Sequence, residues 1–495
     1  MASQRNVLFI LADQFRADCL GASGNPLIQT PNLDALAREG VLFTHAFVQT
    51  TPCGPSRMSI FNSRYLCSTR AVQNMTPLAD PGDNLALTLR AAGYDPALIG
   101  YNDYAIDPRI LPPSDPRTTS LNYDNVLPGF HWVLNHTYDS QEYFEWLRRK
   151  GYPEELLSHA AIHKPVAPAE GPGEHLPLHF PAPYRAEDSE CRFLTETAID
   201  WIAAHSRVQE QGWFLSLNYI KPHPPRVCAA PFHAMYDPAT LPAANRRAEE
   251  LTDPHPYMRF MHRAPQLARD DHFRETKACY YGMVTELDVC LGLLFAALKK
   301  SGCWDDTLIV FSSDHGDYLG DHYLLNKSDF YDETMRVPLI VRDPSREADA
   351  TRGAQSHGFV ESIDTAPAIL EFLGIAAPAQ FQGRSFLPAV RGAADSLKRE
   401  IVHEDDFRDP AALPGIDPER CLLWVIRDHD YKLVVFGEPS MPPLLFDLNR
   451  DPGEHVNLSA HPEHAATVAH YCQRLLRWRM KNEDHRMERW ASQYR

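Results

Sequence analysis

Apolar positions fall in short unbroken runs spaced along the chain, separated by stretches with helical periodicity. NVLFILA (Asn6 to Ala12), VLFTHAFV, WFLSLNY, TLIVFSSD and VPLIVR each have strand length. Continuous apolar runs suit strands covered on both faces, as in a parallel sheet. TPNLDALAREG predicts a helix, with Thr30 as N-cap, Pro31 in the first turn, Leu33, Leu36 and Ala37 on one face, and Gly40 as the stop. NLALTLRAAGYDPALIGY repeats the pattern, a helix closing near Gly93 and a strand ending at Tyr101, and FVESIDTAPAILEFLG reads as a further helix. The alternation predicts an α/β fold with a large central, mostly parallel sheet sandwiched by helices.

From about Ile375 the pattern changes. CLLWVIRDHDYKLVVFG and LLFDLNRDPGE predict short antiparallel strands and turns, followed by an amphipathic helix around His464 to Met480. The expected organisation is an N-terminal α/β catalytic unit over residues 1–374 and a smaller α+β subdomain over residues 375–495. Two Pro- and His-rich stretches with weak periodicity, about Asp103 to Ala186 and Pro222 to Asp271, are expected to be long excursions that roof a pocket.

Open α/β sheets bind ligands beyond the carboxyl ends of their strands. Asp13, Cys53, Tyr101, Lys221 with His223, and Asp314 with His315 all fall there. Asp13, Asp314 and His315 form a mixed oxygen and nitrogen set that suits Mn²⁺ or Zn²⁺ better than Ca²⁺, which remains the third choice, and Gln14 can add a neutral oxygen. Cys53 lies in TTPCGPSRMSIF at C-x-P-x-R spacing, where a strand gives way to a helix. A buried structural thiol needs no such company.

Charge narrows the partners. Forty-eight Lys and Arg against 65 Asp and Glu give a formal charge of -17, which disfavours nucleic acid. A small anionic substrate must therefore be drawn in by local cations or a metal. The ten cysteines lack C-x-x-C pairs or framework spacing and read as reduced thiols. The first apolar run is too short, and too soon interrupted by Asp13, for a signal or membrane segment. The expectation is a cytoplasmic protein with no membrane partner.

The C-x-P-S-R motif resembles the recognition sequence of type I sulfatases, in which the cysteine is oxidised to formylglycine by a formylglycine-generating enzyme. NVLFILADQFRAD, RAVQN, GYDPALIGY, NYIKPHPP, CYYGMVTELD, SSDHGDYLGDHYLLNK and LLFDLNRDPGE are similar to bacterial phosphonate monoester hydrolases, phosphodiesterase-like members of the sulfatase and alkaline phosphatase superfamily. The resemblance implies metal ligands at Asp13, Asp314, His315 and the modified Cys53, with Gln14 beside them. It implies substrate contacts from Arg57, Asn74, Tyr101, His223 and Lys327, with His223 or Lys327 protonating or stabilising the departing alkoxide, and a dimeric or tetrameric homo-oligomer. Arg57, one turn along from Cys53, is expected to bond the aldehyde hydrate and neutralise charge.

The sequence also departs from its relatives. Arylsulfatases carry G-K-x-H where this chain has Gly100-Tyr101-Asn102-Asp103, and Asp-Asn where it has Asp314-His315. Asp103 also differs from the phosphonate branch, which has a hydroxyl residue there. An acid beside an anionic substrate is costly unless it is protonated, paired or turned away.

Taken singly, His223 can brace a Pro-rich turn, Lys327 can be a solvated lysine, Tyr101 a half-buried ring and Asn74 a turn residue. Together they point to a formylglycine-dependent, metal-assisted hydrolase of phosphonate monoesters, phosphodiesters and sulfate monoesters. The alternatives are a dedicated arylsulfatase, a metal-dependent phosphomutase or phosphatase with a hydroxyl nucleophile such as Ser56, and an anion-binding relative without turnover. Arg474, Arg477 and Arg479 beside Leu475, Leu476 and Trp478 can pack on their own subdomain or on a neighbouring protomer.

Overall fold

A computed structural model describes residues 5–118, 125–169, 171, 177–206, 212–252, 254–262, 270–393, 397–408, 413 and 415–483. Eight strands form the large sheet: β1 (Asn6–Ala12), β2 (Val41–Phe47), β3 (Ala97–Gly100), β4 (His131–Asn135), β5 (Phe214–Tyr219), β6 (Thr307–Ser313), β7 (Arg336–Arg342) and β8 (Ala354–Glu361). Their order is β4-β3-β5-β1-β6-β7-β2-β8, and only β7 runs against the others. Every residue of β1, β5 and β6 is buried, which explains why these strands read as unbroken apolar runs.

Side chains alternate between two cores. Leu8 and Ile10 face one cluster with the helices Glu190–His205 and Asp270–Ser301, whose Leu194, Ile202, Leu287 and Leu291 are buried in it. Val7, Phe9 and Leu11 face the other, with Phe61 and with Ile369 and Leu370 of the helix Thr365–Leu373. The Asp270–Ser301 helix is apolar and long enough to cross a membrane, yet 72% of its most apolar window is buried in the protein. It is placed as a core helix.

Several expectations are corrected. Thr30 precedes its helix, but its side chain does not cap it: Oγ1 accepts from Gly21 N and donates to Asp34. Phe359, Val360 and Glu361 end strand β8, so the helix expected from Phe359 begins only at Thr365. The stretch after Asp103 supplies edge strand β4 and the helix Gln141–Arg149. Both β4 and β8 are partly exposed, so they lack the continuous apolar signature of the central strands.

The second sheet comprises β9 (Ile401–Asp406), β10 (Leu422–Arg427), β11 (Tyr431–Phe436) and β12 (Leu444–Asp447), antiparallel in the order β12-β11-β10-β9. Residues just before it still belong to the first unit: Phe386, Leu387 and Val390 pack in the large-sheet core. One face of the small sheet meets Phe47, Tyr257, Phe330 and Phe359. The other receives Tyr471 and Leu475 of the helix Ala465–Lys481, whose Trp478 ring lies 4.7 Å from Tyr65. This helix packs on its own subdomain, leaving Leu476 and Met480 exposed.

Gly100 ends β3 at φ +97°, and a β-carbon there would stand 2.1 Å from the backbone oxygen of Asn218. Gly151 has φ +90° with nothing within 4 Å of that position. Gly100→Ala is expected to cost about 2–5 kcal/mol of stability, combining backbone strain with overpacking. Gly151→Ala is expected to cost only about 1–2 kcal/mol. Urea unfolding of the two variants checks the difference, and equal losses would refute it.

Candidate active site

β1 and β6 are neighbours in register, Ala12 opposite Ser313, so the next residues, Asp13 and Asp314, emerge side by side. Backbone bonds hold the turn: Gln14 N donates to Asp314 Oδ1 (3.0 Å) and Phe15 N to Ser313 Oγ (2.8 Å). Cys53 opens the helix Cys53–Asn62, whose positive N-terminal end favours an anion at this position. That end is capped from outside, by Asn74 Oδ1 accepting from Gly54 N at 2.9 Å.

Asp13, Cys53, Asp314 and His315 bring their ligand atoms within 4.8 Å of one another, and all four are buried. His315 Nδ1 lies 2.9 Å from the carbonyl of Gly316, which can only accept, so Nδ1 carries the hydrogen. Nε2 is left as a lone pair 3.3 Å from Cys53 Sγ. Two carboxylates, a neutral imidazole nitrogen and the atom at position 53 form a set that fits a divalent metal such as Mn²⁺ or Zn²⁺.

Arg57 is fully buried and its nitrogens are engaged. Nε donates to Asp314 Oδ2 (2.8 Å), one terminal nitrogen to Tyr101 O (3.0 Å), and the other to Asp13 Oδ2 (3.2 Å) and Tyr101 Oη (3.0 Å). Its guanidinium also stands 4.1 Å over the Tyr101 ring. Arg57 therefore positions and neutralises the two carboxylates. Tyr101 is likewise committed, its hydroxyl donating to Asp13. Asp103 is paired, with Oδ2 3.7 Å from Arg57 Nε, which offsets the cost of an acid in this pocket.

Burial opposes ionisation of Asp13, but His223, Lys327 and Arg57 outweigh it and hold the carboxyl well below its usual range. Burial, then Asp13, pushes the Cys53 thiol well above its ordinary value. Lys327 Nζ sits 2.9 Å from Cys53 Sγ and 3.2 Å from Gln14 Oε1. Burial works against its charge, yet Cys53 and Asp13 raise its pKa, so Lys327 is a fixed cation and no solvated lysine. Gln14 thus turns its oxygen to Lys327 and its nitrogen to Asp317 (2.6 Å), beside the ligand set.

His223 lines the pocket with Asp13, Cys53, Tyr101, Asp103 and Tyr138. Its Nδ1 bonds Pro224 O at 2.6 Å, leaving Nε2 as the second nitrogen, and burial lowers its pKa. Two further candidates are engaged in structural bonds. Lys221 is buried against Glu286 (2.8 Å) and the Tyr184 hydroxyl (3.0 Å), a structural pair. Ser56 donates to the carbonyl of Asp314 at 2.5 Å and does not line the pocket, which disfavours it as an alternative nucleophile.

Sequence reasoning passed over three contributors. Asp317 accepts from Gln14 and from Arg226 (2.6 Å), orienting the amide beside the metal ligands. Its signal was its place in SSDHGDYLGDH, three residues past Asp314. Thr137 and Tyr138 reach the pocket from the loop after β4, in a stretch without useful periodicity. The pocket itself is small, about 20 Å³, room for about one water. Beside it opens a cavity of about 690 Å³, lined by Pro52, Asn74, Tyr257, Phe260, Ser328 and Phe407 among others.

Comparison with known proteins places these residues in context. The Sulfatase family profile matches residues 5–375, and a second, N-sulphoglucosamine sulphohydrolase, C-terminal, matches residues 320–481. The multifunctional alkaline phosphatase superfamily protein PehA of Trinickia caryophylli is 39% identical over 520 residues, covering 99% of this chain and 98% of that one. The crystal structure of the phosphonate monoester hydrolase of Agrobacterium radiobacter superposes with a TM-score of 0.89 at 35% identity, covering 97% of each chain. The phosphonate monoester hydrolase SpPMH from Silicibacter pomeroyi gives 0.90 at 36% identity, covering 98% of this chain and 97% of that one.

Removing Arg57 strands two buried carboxylates. Arg57→Ala is expected to destabilise the metal-free protein by about 3–5 kcal/mol, the cost of breaking a buried ion pair. Added Mn²⁺ is expected to shrink the deficit, because the ion supplies the missing positive charge. Denaturant unfolding with and without the metal checks this, and an unchanged deficit would count against shared electrostatics.

Proposed function

The chain belongs to the sulfatase family, and from that premise we propose that it is a formylglycine-dependent hydrolase of singly charged esters: phosphonate monoesters, phosphodiesters and sulfate monoesters. It is a hydrolase of a metal-dependent family. One observation carries the finer reading. Cys53 Sγ, at a helix N-terminus, has His315 Nε2 at 3.3 Å, Lys327 Nζ at 2.9 Å and Asp13 Oδ1 at 3.8 Å. A thiol held protonated in this setting is a poor nucleophile, which favours Cys53 as a precursor. Oxidised to the aldehyde and hydrated, with a divalent metal beside it, this position would supply an activated hydroxyl for attack on phosphorus or sulfur and a second hydroxyl for release of the oxyanion.

The chain's own residues divide the remaining work. Arg57 keeps Asp13 and Asp314 ionised and oriented. Lys327 places a permanent charge beside the attacking position, where it can stabilise the non-bridging oxygens of the reacting group. His223 holds its Nδ1 hydrogen on Pro224 O, so Nε2 is the nitrogen that, once it has taken up a proton, can deliver it to the departing alkoxide. Among the protein's own groups the balance favours a singly charged substrate: Arg57 is spent on carboxylates, Asp103 adds another acid, and Lys327 is the main remaining side-chain cation beside the charge a bound metal would add. The three proposed ester classes carry one negative charge, whereas a phosphate monoester dianion carries two. The adjacent 690 Å³ cavity, with Tyr257, Phe260 and Phe407, supports an aromatic or extended alcohol portion.

A reducing compartment agrees with ten unpaired cysteines, supporting the cytoplasmic reading and a dependence on a formylglycine-generating enzyme. The exposed Leu476 and Met480 favour self-assembly through the terminal helix.

The activity prediction is graded. In matured protein, kcat/KM for aryl phosphonate monoesters, phosphodiesters or sulfates is expected to exceed that for the matching phosphate monoester dianion by at least about tenfold, as a ratio of transition-state affinities. Lys327→Ala is expected to lower kcat by about 10²–10³-fold, the usual scale for losing one electrostatic stabiliser. Cys53→Ser is expected to abolish multiple turnover. Full turnover by Cys53→Ser, or by protein whose position 53 is unmodified thiol in a peptide mass spectrum, would sink the formylglycine reading.

A further inference from the structure

Away from the catalytic pocket, Glu250, His322 and His455 bring one carboxylate and two imidazoles together, with ligand atoms all within 4.8 Å of one another. Their side chains are 9%, 0% and 6% exposed. They come from three remote segments: the loop before the helix Pro256–Met261, the turn beyond the Asp314 loop, and the loop after β12. Glu250 Oε2 lies 2.9 Å from His322 Nδ1, and Oε1 lies 2.8 Å from His455 Nδ1.

Asn245 fixes where one hydrogen must be. Its Nδ2 donates to Glu333 Oε1 (3.2 Å) and Gly453 O (3.3 Å), which sets the orientation of the amide. Its Oδ1, 2.8 Å from His455 Nε2, can then only accept, so Nε2 carries a hydrogen. A neutral His455 therefore turns the Nδ1 lone pair onto a carboxylate oxygen at 2.8 Å. Two facing lone pairs in a buried site repel unless a cation lies between them.

His322 has the same sense. Its Nδ1 faces the other Glu250 oxygen, while Nε2 lies 3.8 Å from Glu333 Oε2, a buried oxygen with no hydrogen-bond partner among the described residues. That ion-pair distance favours a hydrogen on Nε2 without making a hydrogen bond; Asn245 Nδ2, 3.5 Å from Nε2, already has two shorter acceptors. The ring is fixed by stacking on Tyr331 at 3.7 Å and 8°. The backbone of His322 is in the left-handed region, φ 51° and ψ 27°, with its N–H on Asn245 O at 2.8 Å. Such strain in a non-glycine residue persists only where its surroundings impose it.

We propose that Glu250, His322 and His455 bind a second divalent metal ion, Zn²⁺ by the donor set, through both Nδ1 atoms and the Glu250 carboxylate, with Asn245 accepting the Nε2 hydrogen of His455. A tetrahedral ion with bonds of about 2.0–2.2 Å holds its ligands roughly 3.3 Å apart, so each imidazole Nδ1 need draw back from its Glu250 oxygen by only a few tenths of an ångström. Asn245, Glu333 and Pro452 line a cavity of about 920 Å³, which gives the ion a path in. The ion would clamp the segment after β12 to the turn that follows the catalytic loop, a structural role independent of the substrate.

The test counts metal. Native mass spectrometry and elemental analysis of Zn²⁺-loaded wild-type protein are expected to find two ions per chain. Asp13→Asn/Asp314→Asn, which breaks the catalytic set, is expected to retain one. Adding His455→Ala is expected to remove it, and to abolish a rise of several degrees in Tm on Zn²⁺ addition that the double variant still shows. His455→Ala alone is expected to bind one ion and keep its kcat. A wild-type chain that never exceeds one Zn²⁺, or a double variant that binds none and shows no Tm response while its circular dichroism is native, overturns the proposal in favour of a doubly protonated His455 paired with Glu250.

Discussion

The candidate active site depends on one buried guanidinium. Arg57 has no solvent exposure and binds both carboxylates that emerge from β1 and β6. Two carboxylates side by side in a low-dielectric core repel and favour protonation, which would destroy a metal-binding set. The planar fork of arginine meets both acids and the Tyr101 backbone at once, a geometry that an ammonium cannot reproduce. The C-x-P-S-R motif therefore does two tasks through one helical turn: it presents Cys53 at the helix end, and it sends Arg57 beneath the carboxylates that Cys53 faces.

That arrangement is possible because β1 and β6 are adjacent and parallel. Parallel neighbours deliver their following loops to the same edge of the sheet, so residues 300 apart in sequence become contacts at hydrogen-bond distance. β5 and β3 extend the same edge and deliver His223 and Tyr101. The small antiparallel sheet closes the far side. Its Asp405 accepts from Asp329 N, two residues past Lys327, so β9 helps to hold the lysine loop against Cys53.

The two His-containing clusters differ in how their protons are fixed. His315 gives its Nδ1 hydrogen to a backbone carbonyl and faces the site with Nε2. In the Glu250 cluster the amide of Asn245 does the equivalent work on His455 from the opposite ring nitrogen. In each case a neutral acceptor outside the cluster decides which imidazole atom can serve as a ligand.

The sequence by itself determined the class of fold, the strands buried on both faces, and the catalytic types at their ends, because continuous apolar runs and the C-x-P-S-R spacing are local signals. Asp13, Cys53, Asp314, His315 and His223 were legible in that way, whereas Lys327 entered only through the family resemblance. Tertiary structure alone decided what each group does with its hydrogen bonds. It turned Arg57, Tyr101 and Asp103 inward on one another, tied Gln14 to Lys327, and withdrew Lys221 and Ser56 into structural bonds. It also added β4 and β8 at the partly exposed sheet edges and assembled Glu250, His322 and His455 from distant segments. The physical reason is common to all of these: local pattern reports whether a residue is buried, whereas the partner it meets there depends on which strands become neighbours.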